Sequence, residues 1–217
     1  MAVLLGVGGP YVYIHLIEGP PPARLSVSAP PAATPAPATT GPSTALAGTY
    51  RVGTGSLAGY RVGEVLFGQS ATAVGRTSAV SGTMTIAGTT VTAATFTVDL
   101  TTVKSDRSQR DGQFRGRIMD TSTYPTATFT LTAPIALGSL PPDGATVTQN
   151  ATGSLALHGV TKTVTFPVTG KRSGATISVS GSIPIVFADF HIDNPSGGPA
   201  TTQDHGTMEF LLNLTHA

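Results

Sequence analysis

The chain reads as an all-β protein whose antiparallel strands close into an eight-stranded barrel, with a short helix or loop insertion covering one mouth. Three observations predict this. Apolar and hydroxylated residues alternate with a period of two over most of the chain from Tyr50 onward. Clusters of Gly, Asn, Asp and Pro separate the alternating runs. No long stretch carries the apolar spacing of a helix. Successive strand side chains point to opposite faces, so each run has one apolar face and one wet face. About eight such runs fit between residues 49 and 215, and closing that many antiparallel strands removes exposed edges.

The elements follow in order. The run GYRVGEVLF puts Tyr60, Val62, Glu64 and Leu66 on one parity. Phe96, Val98 and Leu100 alternate with Thr95, Thr97 and Asp99. The charged stretch from Lys104 to Arg117 then interrupts the series and is expected to be the mouth insertion, with Phe114 turned inward. Alternation resumes with Phe129 and Leu131 against Thr128 and Thr130, and with Phe166 and Val168 against Thr165 and Thr169. Ile177, Val179, Ile183, Ile185 and Phe187 alternate with serines, and Met208, Phe210, Leu212 and Leu214 close the chain. A barrel of eight strands holds either its own side chains or one small ligand. Trp is absent and Gly and Ala are abundant, which favours unfilled space, although a filled β-sandwich would show the same alternation.

Ahead of the barrel domain, residues 48–217, lie two different segments. Residues 1–18 contain an uncharged apolar run, AVLLGVGGPYVYIHLI, expected to be a membrane-anchor or signal remnant. It is shorter than the ~20 residues of a spanning helix and lacks a basic start. Residues 19–47 are dominated by Pro and Ala and are expected to form a disordered, extended linker holding the domain away from a bilayer. The expected location is therefore extracytoplasmic, in the cell envelope or secreted, with anchorage to the cytoplasmic membrane by the N-terminus. Preference for Arg over Lys, with much Ala, Gly and Pro, suits a bacterial source. The formal charge is only +1 and charged residues are 11% of the chain, which argues against a nucleic-acid partner. Cysteine is absent, so thiolate chemistry is excluded.

Three separated segments agree in order with one family. RDGQFRGRIMDTSTYPTATF spans Arg110 to Phe129, GSLALHGVTK spans Gly153 to Lys162, and FADFHI spans Phe187 to Ile192. Together they resemble the YceI-like family of lipocalin-like barrels, periplasmic or secreted proteins that bind polyisoprenoid lipids. The resemblance runs from about Gly48 to Ala217. It implies a carrier rather than an enzyme, no required cofactor, and an isoprenoid quinone or polyprenyl lipid held inside the barrel; a homodimer is compatible with it. The chain departs from the family's pattern in having Tyr50 where a Trp is usual and Glu64 near a place often taken by His.

On the residues themselves, the expected lining is Phe96, Val98, Phe114, Phe129, Leu131, Leu155, Leu157, Phe166, Val168, Phe187, Met208, Phe210 and Leu212. Arg110, Asp111, Tyr124 and Glu64 are expected at the mouth or head-group end. Glu64 reads equally as an inward residue, which once buried needs a partner such as an arginine, or as an edge-strand residue in water. Arg110 and Asp111 are adjacent, so each is expected to pair with a neighbouring strand or cap a backbone group. Asp189, His191 and Asp193 alternate in an expected strand near His205, a weak divalent-metal candidate, and no metal is expected. Two other classes stay open: a structural or adhesive surface domain with a filled core, and a hydrolase of lipid or cell-wall material using Glu64, Asp189 and His191. No G-x-S-x-G segment supports the hydrolase.

Overall fold

A computed structural model describes residues 20–27, 46–66, 68–197 and 200–217. Twelve strands make one sheet: β1 Gly48–Val52, β2 Leu57–Leu66, β3 Gln69–Thr77, β4 Val80–Ala87, β5 Thr90–Asp99, β6 Thr126–Leu131, β7 Ile135–Ala136, β8 Thr146–Leu157, β9 Val160–Ser173, β10 Thr176–Val186, β11 Ala200–Thr202 and β12 His205–His216. β1 and β2 are two halves of one wall, both paired to β12, while β4 and β3 pair with them on the other side. Counted as walls, β1/β2, β3/β4, β5, β6, β8, β9, β10 and β12 form a closed antiparallel eight-stranded barrel.

Local chemistry fixes the turns. His158 and Gly159 both have positive φ, 50° and 76°, in the two-residue connection between β8 and β9. That is the mirror-image turn whose twist suits a tight hairpin, and it explains the His-Gly pair inside GSLALHGVTK. Outside the barrel, threonines face threonines: Thr148 and Thr169 lie 2.9 Å apart, Thr152 and Thr165 2.9 Å, Thr97 and Thr128 3.1 Å. Such cross-strand pairs each add roughly 0.2–1 kcal/mol. Inside, Leu214, Leu155 and Leu212 are at most 2% exposed.

The insertion begins with α1, Ser108–Gln113, and continues through a wider π-type turn, Phe114–Ile118. The Asp111 carboxylate accepts from the Ser105 backbone N–H and hydroxyl, both at 2.7 Å, which folds the loop back onto the helix start. The wide turn drives Phe114 and Met119 into the core.

Two expectations are corrected here. Phe187–Phe190 is a 3-10 turn rather than the end of a strand, and His191 follows it in the left-handed region at φ 53°. The strand alternation expected for Asp189, His191 and Asp193 therefore does not exist. Residues 20–27 fall within the stretch expected to be a free linker, yet they lie against the outer wall. Leu25 is buried, and the Val27 N–H donates to Ser180 Oγ at 3.0 Å. The apolar run of residues 2–17 lies outside the described residues.

Candidate functional site

The barrel is hollow. A chamber of about 370 Å³ lies at the α1 end, walled by Tyr60, Val62, Leu100, Phe114, Leu157, Ile185 and Phe187. A second, of about 160 Å³, lies toward the opposite end, walled by Met84, Ile86, Phe96, Phe129, Phe166 and Phe210. Ala58, Val98 and Met208 face both. Small side chains leave this room open: Ala58, Ala94, Ala127 and Ala151 stand on walls where a larger residue would intrude.

Aromatic rings organise the waist. Phe129 and Phe166 meet edge to face at 5.3 Å, and Phe166 meets Phe210 at 6.0 Å. Each outer ring packs closely against a glycine of the neighbouring strand. A Cβ at Gly153 would stand 2.4 Å from the Phe129 ring, and one at Gly181 would stand 2.6 Å from that of Phe210. At the α1 end Tyr60 stacks on Phe114, centroids 5.0 Å apart and planes 13° apart. Burial pushes the Tyr60 hydroxyl up to about 12; Arg110 opposes this, and the carboxylates of Asp111, Asp106 and Glu64 add to it. It stays a protonated donor at physiological pH.

The mouth of the larger chamber is polar. Arg110 donates to Glu64 Oε1 at 3.1 Å and also to Asp106. The two side chains of the first pair are 18% and 13% exposed, so water reaches this pair. Gln109, Gln113 and Arg117 complete the rim, with Arg117 donating to the Pro195 carbonyl at 3.0 Å.

All thirteen residues expected as lining face this interior. Phe96, Phe129, Leu131, Leu155, Phe166, Val168, Phe210 and Leu212 line the smaller chamber, Phe114, Leu157 and Phe187 the larger, and Val98 and Met208 both. Of the four mouth residues, the structure brings together only Arg110 and Glu64. Asp111 is taken up by Ser105. Tyr124 lies away from the rim, edge to face with His158 at 4.8 Å, over Gly159 in the β8–β9 turn. The metal candidates are likewise dispersed: Asp189 pairs with Lys162 at 2.6 Å and His205 with Asp204 at 2.7 Å. Among the described residues no group of three or more potential ligands could hold a metal ion. Asp189 and His191 do not line the chamber that Glu64 borders, so the residues of the hydrolase reading do not converge.

Sequence reasoning left out Met84, Ile86, Val91 and Ala94 from the lining. Val91 and Ala94 are an odd number of positions apart yet both face inward, because a bulge shifts the β4–β5 register at Thr85/Ile86. Ile183 and Ile185 carried a legible signal, since they alternate with serines in β10.

Residues 53–214 match the YceI-like domain family. The chain belongs to that family. Among the solved structures that resemble this YceI-like barrel are the following two. One is a polyisoprenoid binding domain from Saccharophagus degradans implicated in plant cell wall breakdown, at TM-score 0.62 and 20% identity, covering 79% of this chain and 99% of that one. The other is Burkholderia cenocepacia BcnA, at TM-score 0.54 and 26% identity, covering 71% of this chain and 95% of that one. No curated protein matches the chain. Residues 20–27 lie outside the matched YceI-like range.

Proposed function

We propose that this YceI-like domain is an extracytoplasmic carrier holding one long apolar chain, the isoprenoid tail of a quinone or polyprenyl lipid. The observation that carries the reading is the pair of adjoining apolar chambers sharing Ala58, Val98 and Met208. A dry cavity of about 150 Å³ lined by Leu, Ile and Phe accommodates benzene. On that scale the chambers of about 370 and 160 Å³ take on the order of twenty carbons, roughly four isoprene units. Transfer at about 0.8 kcal/mol per carbon gives ~16 kcal/mol gross, enough for tight binding after association costs. The polyisoprenoid named for the Saccharophagus domain supports the ligand class. The uncharged run of residues 2–17, read as an anchor or signal remnant, supports the location. The rim offers a carboxylate tied to an arginine and a phenol that keeps its proton, which suits holding a ligand better than transforming one. The open centre runs against the filled-core alternative.

Native mass spectrometry of the protein purified from its own host is expected to show a co-purifying lipid. In competition assays with polyprenols of two, four and eight units, affinity should rise steeply to four and then level. Failure of every chain length to bind would overturn the carrier reading.

A further inference from the structure

The outer wall carries a charged cluster that the lipid site does not use. Glu209 of β12 lies between Met208 and Phe210, and its carboxylate meets the arginines of the outer wall, yet it is only 2% exposed. Arg61 Nε lies 2.7 Å from its carboxylate, Arg24 Nη1 3.2 Å and Arg76 Nη2 3.7 Å. The same arginines grip the peptide that covers them: Arg61 donates to the Pro22 carbonyl at 2.6 Å and Arg76 donates to that of Ala23. With Leu25 buried and Val27 bonded to Ser180, residues 22–27 are fixed through backbone and side chains alike.

We infer that this peptide is a clasp that turns the mouth of the larger chamber toward a lipid bilayer. The inference rests on the membrane-anchor reading of residues 2–17. Direction decides it. Val27 sits over β10, Pro22 and Ala23 over β2 and β3, and Pro20–Pro22 border a groove of about 570 Å³. Glu64 and Arg110 line that groove and also the larger chamber. Going toward the N-terminus, the chain therefore arrives beside the chamber's mouth. Only Glu18 and Gly19 separate Pro20 from Ile17, the last residue of the apolar run. Even fully extended, those three steps cover about 11 Å. The long Pro/Ala stretch cannot hold the barrel away from the run, because it follows the clasp and returns to the barrel at Leu46, which is buried. A bilayer that takes up residues 2–17 then lies against the α1 end. An apolar chain moving between bilayer and chamber there avoids water, at about 0.8 kcal/mol per carbon not exposed.

The chain has no cysteine, so single labels can be placed cleanly. Full-length Gly112→Cys, in α1, and Ala175→Cys, at the exposed β9–β10 turn of the opposite end, would each carry a fluorophore on phosphatidylcholine–phosphatidylglycerol vesicles bearing a lipid-linked quencher. Severalfold stronger quenching at position 112 is expected. Adding Arg24→Ala with Leu25→Asp should bring the two positions toward equality, with circular dichroism checking the fold and Leu25→Ser alone serving if the double variant misfolds. Equal quenching in the parent, or stronger quenching at position 175, overturns the inference. So does an asymmetry that survives release of the clasp. Failure to bind vesicles overturns the anchor reading and the inference together, while polyprenol competition on the same samples reports separately on the carrier reading.

Discussion

Two glutamates on neighbouring walls of the barrel meet arginine in opposite settings. Glu64 of β2 faces the chamber mouth, pairs with Arg110 at 3.1 Å and keeps 13% of its side chain exposed. Glu209 of β12 faces outward, where a strand side chain should be wet, yet its side chain is 1% exposed and three arginines approach it. The inward carboxylate is thus the wetter of the two. Burial here follows what covers a position, and the side of the sheet does not decide it. The chamber mouth beside α1 stays partly open to water, whereas the outer wall is sealed by a peptide distant in sequence.

The largest effect should come from breaking the sealed pair. Arg61→Ala leaves the Glu209 carboxylate buried without its nearest cation, a type of change that costs about 3–5 kcal/mol. Urea unfolding should show that loss as a shifted midpoint with little change in slope; a loss near zero would mean that water enters once Arg61 is gone. Arg110→Ala should cost less, about 1–3 kcal/mol, because solvent at the rim and the nearby Gln109 and Gln113 amides can take over part of the Glu64 solvation. Comparable losses for the two variants would erase the contrast between sealed and open sites.

Period-two patterning placed residues such as Phe166 and Leu212 on the inner face, but it missed Val91 and Ala94, where a bulge shifts the β4–β5 register. It did not place Tyr124 or Asp189, because local backbone events intervene: a mirror-image hairpin turn beneath Tyr124 and a 3-10 turn through Asp189. Glu64 was half legible, as its parity allowed either an inward carboxylate with an arginine partner or one left in water. Glu209 was illegible, since its parity reads as solvent-facing and its cover comes from Arg24, 185 positions away. Nothing in the Pro-rich composition around Leu25 distinguishes a docked peptide from a free spacer.

The smallest effect sharpens the comparison further. Arg24 is 64% exposed at its side chain, so its ion pair with Glu209 is open to solvent on one side although its partner is not. Such a half-exposed pair is worth at most about 1 kcal/mol and weakens as salt shortens the screening length to ~3 Å at 1 M. Arg24→Ala should therefore cost at most about 1 kcal/mol at low ionic strength and close to nothing in 1 M salt. The Arg61→Ala loss should persist there, because its pair lies beneath the peptide where ions do not reach. If salt erased both losses, the cover over Glu209 would be too transient to exclude solvent. If salt erased neither, Arg24 would act through packing of its stem beside Leu25, with its charge contributing little.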